Sequence, residues 1–159
     1  MIRLLLGIIV VMASIGGARA QSAGPGLDVT RVFAKAELEE ILGGTLKEPK
    51  IDSADLGTVR YYPVNGIPFL EALVLGARTY DAVDYESALK NAQQTHYYKH
   101  DVAGLGERAF WQESGAYAML IAVKGKVLVQ ISISQAKSPL TREDAAIKIA
   151  KTTFERLAR

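Results

Sequence analysis

The stretch 109–134 most narrows what this chain can fold into. Three short β-prone runs, 109–113, 117–123 and 127–134, are separated by Ser114-Gly115 and by Lys124-Gly125-Lys126. The middle run is apolar at both sets of alternate positions, Tyr117, Met119, Ile121 and Val123 against Ala118, Leu120 and Ala122. That suits a central strand covered on both sides. The third run alternates Val127, Val129, Ile131 and Ile133 with Leu128, Gln130, Ser132 and Ser134, so one of its faces is wet or lines a polar cavity. Gln130, Ser132 and Ser134, with Trp111 or Tyr117 nearby, are therefore the candidate binding surface.

Helical signals flank these strands. Residues 35–42 carry Leu38, Ile41 and Leu42 on one stripe, and Gly43-Gly44 supplies a left-handed stop. Residues 84–97 read as a second, polar helix with Asp84 as its N-cap and Tyr85, Leu89 and Ala92 on one side. Thr141 with Asp144 resembles a capping box opening a C-terminal helix, whose expected buried stripe is Ile147, Ala150, Phe154 and Leu157. Between the first two helices, 58–64 and 67–77 flank Asn65-Gly66, the residue pair of a type I′ hairpin turn. Pro63 and Pro68 each remove a ladder donor and place this end at a sheet edge. Within the hairpin, 69–75 favours strand and helix alike. The expected order is α-β-β-α-β-β-β-α: an α+β domain in which an antiparallel sheet of about five strands carries packed helices.

The first twenty residues set an address. A short positive start with Arg3, an uncharged aliphatic run and small residues before Ala20 form the three-part layout of a signal peptide, with cleavage expected between Ala20 and Gln21. The apolar run falls short of the ~18–20 residues that span a bilayer, so no membrane insertion is expected after cleavage. Removing 1–20 from the 159 residues leaves 139, the size of one domain. Residues 21–32 read as a flexible arm and 33–159 as the single domain.

Processing also removes Arg3 and Arg19, so 17 of the 19 basic residues remain against 17 acidic ones. A neutral chain without basic runs argues against nucleic acid as a partner. The chain has no cysteine, which excludes a disulfide scaffold, thiol chemistry and lipid attachment through cysteine. No N-x-[ST] sequon occurs either, and the two absences together suit a bacterial periplasm.

Few residues carry a recognisable chemistry. Gly104-Leu105-Gly106-Glu107-Arg108-Ala109 matches G-x-G-x-x-[GA], but a strand rather than a helix is expected after it, so the motif reads as a tight loop and implies no cofactor. His96 and His100, spaced i, i+4, would share a face if the second helix reached them, giving half of a metal site. No G-x-S-x-G elbow is present, and the carboxylates are dispersed, which ranks a cryptic hydrolase last. Tyr61-Tyr62, Tyr97-Tyr98 and Phe110-Trp111 are three adjacent aromatic pairs; in a strand, neighbours point to opposite faces.

Lys35-Ala36-Glu37-Leu38-Glu39-Glu40-Ile41-Leu42-Gly43 resembles the opening of a set of small exported bacterial domains, and the stretch from Gly104 through Phe110-Trp111 resembles their second half. The set includes lipoproteins of the LpqN type and is similar to the PsbP-like α/β sandwich. The resemblance implies an extracytoplasmic sandwich domain and carries over no catalytic residue. Ala34 stands where the capping Thr is usual, at a cost of about 1 kcal/mol to that helix end. The expected function is a non-enzymatic periplasmic binding or accessory domain for a protein partner or small ligand. A small metal-binding protein using His96 and His100 is the alternative from another class.

Overall fold

The computed structural model describes residues 25–52, 55–67, 70–134 and 140–159, so the expected leader and its cleavage site at Ala20 and Gln21 lie outside the described residues. The elements are α1 (Lys35–Leu42), β1 (Lys50–Asp52), β2 (Asp55–Tyr61), β3 (Leu73–Thr79), α2 (Ala82–Gln94), β4 (Tyr98–Asp101), β5 (Arg108–Ser114), β6 (Tyr117–Lys124), β7 (Val127–Ile133) and α3 (Arg142–Leu157). The strands form one seven-stranded sheet in the order β1-β2-β3-β7-β6-β5-β4, antiparallel at every pairing. The α+β class and the antiparallel sheet are as expected.

Period-two alternation divides the core into two layers. Val59, Tyr61, Leu73, Leu75, Trp111, Leu120, Ala122, Val129, Ile131 and Ile133 face α1 and α3. Phe110, Ile121, Val123 and Leu128 face Tyr85 and Ala92 of α2. β6 is covered on both sides, as its sequence requires.

The sheet has seven strands rather than five, because β1 and β4 escape the sequence pattern. Both are short, polar edge strands, Lys50-Ile51-Asp52 and Tyr98-Lys99-His100-Asp101, each paired on one side only. The order is therefore α-β-β-β-α-β-β-β-β-α.

The β2–β3 hairpin exists, with Thr58 opposite Gly76 and Tyr61 opposite Leu73, but residues 62–72 connect it and neither Asn65 nor Gly66 has a positive φ. The segment after α1 takes the ladder bonds instead: Lys47 N–H donates to Tyr62 O at 2.8 Å, Val64 N–H to Thr45 O at 2.9 Å, and Leu46 bridges Pro63. The 69–75 ambiguity resolves as strand from Leu73 onward; Pro68 and Phe69 lie outside the described residues.

α3 buries Ala145, Ala146, Ile149, Ala150, Thr153 and Phe154, leaving Ile147 and Leu157 half-buried. The expected stripe was anchored on bulky residues. The packed face is instead centred on alanines, whose small side chains let the helix approach the sheet, and the Thr153 hydroxyl is satisfied by donating to Ile149 O at 2.8 Å. The Thr141 hydroxyl caps α3 by accepting from Asp144 N–H at 3.0 Å and donates to the Asp144 carboxylate at 2.7 Å. The reciprocal bond is thus between side chains, since aspartate is too short to reach the cap backbone in the usual way.

Residues 25–32, expected within a flexible arm, are docked. Gly26 bridges Arg78, Leu27 N–H donates to Ala77 O at 3.0 Å, and Val29 is 0% exposed. Burial of Val29, Val32 and Phe33 in the α1/α3 layer holds this segment down.

α2 begins at Ala82 and is capped three residues earlier than expected, by Asp81, whose carboxylate accepts from Val83 N–H at 2.9 Å. Asp84 instead pairs with Arg78 at 3.6 Å, linking the helix to β3. The helix stops at Gln94 because His96 turns left-handed (φ 59°), with His96 N–H on Gln93 O at 3.2 Å and Tyr97 N–H on Ala92 O at 2.9 Å. This terminator normally carries glycine. His96→Gly is expected to stabilise the domain by about 0.5–1 kcal/mol, read as an increased urea midpoint; a decrease would show that the imidazole itself holds the turn.

Candidate binding face

The strand register builds a polar face from residues far apart in sequence. Arg60, Val74, Ser132, Met119 and Gln112 form one transverse row from β2 to β5. Thr58, Gly76, Gln130, Ile121 and Phe110 form the next. α2 covers only one end of these rows. Tyr85 meets Phe110 edge-on, centroids 5.4 Å apart, and the Arg108 guanidinium lies 4.2 Å over the Tyr85 ring while pairing with Glu86. Glu86 raises the Arg108 pKa, and burial raises that of Tyr85.

No β2 or β3 residue belongs to the α2 packing cluster among the described residues. Thr58, Val74, Gly76, Gln130 and Ser132 stay half-buried, and Arg60 is exposed. Next to the open rows, Tyr97 (46% exposed) and Tyr117 (43% exposed) flank a notch of about 40 Å³ lined by Gln112, Ser114 and Met119.

The structure thus brings together three of the five residues expected to bind: Tyr117, Gln130 and Ser132. Trp111 is excluded, being 3% exposed and on the opposite face under the α1/α3 layer. Its neighbour Phe110 is also buried, since both faces of β5 are covered. Ser134 is occupied: its hydroxyl donates to Glu71 O and its N–H to Ala72 O at 3.2 Å, closing β3 against β7.

Arg60, Val74, Gln112 and Met119 were not singled out from the sequence. Alternation within each strand was readable, but the pairing that aligns them is long-range.

His96 and His100 do not share a helical face, because the left-handed turn at His96 ends the helix and His100 lies on β4. There its Nε2 is 3.4 Å from Glu143 Oε2 and its Nδ1 3.1 Å from Asp101 O. Among the described residues, no group of three His, Asp or Glu side chains is placed to hold a metal ion.

The glycine motif joins two antiparallel strands, β4 and β5, with Gly104 at φ 73° and Gly106 at φ 86°. A helix N-terminus that would cradle a dinucleotide phosphate does not follow it. Leu105 is buried beneath the loop, and the Glu107 carboxylate accepts from Gly125 N–H at 2.8 Å.

Fold and face define a class: an α+β fold built on a seven-stranded antiparallel sheet, one face of which is covered only in part among the described residues. The chain matches no protein-family model, and no curated protein matches it.

Proposed function

We propose that the chain is an exported, non-enzymatic binding or accessory domain, of the PsbP-like or LpqN type that its sequence resembles, and that it engages a protein partner or small ligand through the open half of the α2 face. The observation that carries this reading is the run Arg60-Val74-Ser132, mixed in polarity and, among the described residues, outside the α2 packing cluster that Met119, next along the same row, joins. Exposed tyrosines at its border add contact area at low entropic cost.

Native mass spectrometry of the protein purified from its own periplasm tests this. The unaltered protein should retain a bound species that Gln130→Arg/Ser132→Arg protein lacks. A species that survives both substitutions, or none in either protein, removes this face from consideration.

A further inference from the structure

We propose that the pocket at the C-terminal end of α1 binds a small ligand combining an apolar body with a primary ammonium group. The cavity, about 240 Å³, is walled by Leu42, Leu46, Pro63 and Ala72, with Thr45 and Asn65 supplying polar atoms. Among the described residues, none that lines it is charged. At about 30 Å³ per water-sized group, it has room for roughly eight non-hydrogen atoms. An apolar concavity with a few polar groups is the ordinary form of a small-molecule site.

The charge preference comes from the helix end beside it. Gly43 turns left-handed (φ 67°), and the N–H groups of Gly43 and Gly44 both return to Glu39 O. Leu46 N–H goes to the Glu39 carboxylate at 2.8 Å. Among the described residues, no loop N–H donates to the carbonyls of Glu40, Ile41 or Leu42. This end therefore presents free acceptors and the negative pole of the helix dipole.

The last turn contains Glu39 and Glu40 and no basic residue. Of the nearby cations, Lys35 is paired with Glu48, and Lys47 is exposed beyond the buried Leu46. Of the three carbonyl-bearing residues only Leu42 lines the cavity, so an ammonium group seated there donates to the Leu42 carbonyl, and the helix pole behind it repels a carboxylate.

Titration of the isotope-labelled protein with hexylammonium, hexanol and hexanoate, followed by NMR, tests the assignment. Hexylammonium should shift resonances of residues 42–46 and bind roughly two- to five-fold tighter than hexanol, the scale of a helix-terminus charge effect, with hexanoate weakest. Gly44→Leu should abolish binding. A Cβ at Gly44 meets nothing within 4 Å and φ is not positive there, so the side chain enters open space without backbone strain. Glu40→Lys, at an exposed position, should erase the preference for the ammonium while leaving hexanol binding in place. Equal binding of hexylammonium and hexanol, hexanoate as tight as hexylammonium, or binding unchanged by Gly44→Leu each overturns the proposal.

Discussion

Replacing Gly106 by alanine is expected to destabilise the domain by about 3 kcal/mol, the scale of a strained backbone site combined with steric overlap. Its φ of 86° already disfavours any side chain, and a Cβ there would lie 2.3 Å from Val123 O. That carbonyl is fixed, because it accepts from Glu107 N–H at 2.9 Å and belongs to β6. The loop therefore has to move, which would loosen the buried Leu105 and the Glu107 cap on Gly125 together.

Gly104→Ala is the matched control. Its φ is 73° but nothing lies within 4 Å of the added carbon, so only the backbone penalty of about 1 kcal/mol applies. Urea denaturation of the two variants should separate them clearly; equal losses would show that close approach to Val123 contributes nothing.

Arg156→Ala should lower the Tm by roughly 5 °C and make the remaining stability less sensitive to acid. Arg156 ties α3 to α1 and to the segment before it. Its guanidinium donates to Glu37 Oε2 at 2.9 Å and Oε1 at 2.6 Å, reaches Val32 O, and lies 5.1 Å from the Phe33 ring centroid. The Arg156 guanidinium, followed by Ala34 N–H, holds the Glu37 carboxyl well below its ordinary 4.5, at about 2. Because the folded value is depressed, this contribution is fully present above pH 4.5 and is lost as the pH falls toward 2.

The Tm difference between Arg156→Ala and unaltered protein should therefore be widest above pH 4.5 and narrow toward pH 2. The contacts to Val32 and Phe33 keep it from vanishing. A difference independent of pH would remove Glu37 from the account.

The same Glu37 explains how α1 starts without a capping hydroxyl. Its carboxylate accepts from Ala34 N–H at 2.8 Å, meeting one half of a capping box, while Ala34 contributes no side-chain cap bond. One carboxylate thus serves both the helix start and the tie to α3. That coupling was invisible in the sequence, where Glu37 and Arg156 are 119 residues apart.

By itself the sequence determined the local elements whose signals lie within one turn or one strand. Examples are α1 and its glycine stop, the three C-terminal strands with their turns, the Thr141 cap and the α+β class. It also marked the alternation that places Gln130 and Ser132 on a face apart from Ile131 and Ile133. Those signals are strong because side-chain period and turn geometry act over a few residues.

Tertiary structure alone decided which strands lie side by side, and that choice made the rest. Pairing to one neighbour turned the polar stretches at Lys50 and Tyr98 into β1 and β4. Cover on both sides of β5 buried Trp111, which a strand pattern by itself leaves free to face outward. The closing of β3 onto β7 took Ser134 out of the candidate surface and set Val74 beside Ser132. A binding face is a property of register and of what a helix fails to reach, and neither is written in any single stretch of chain.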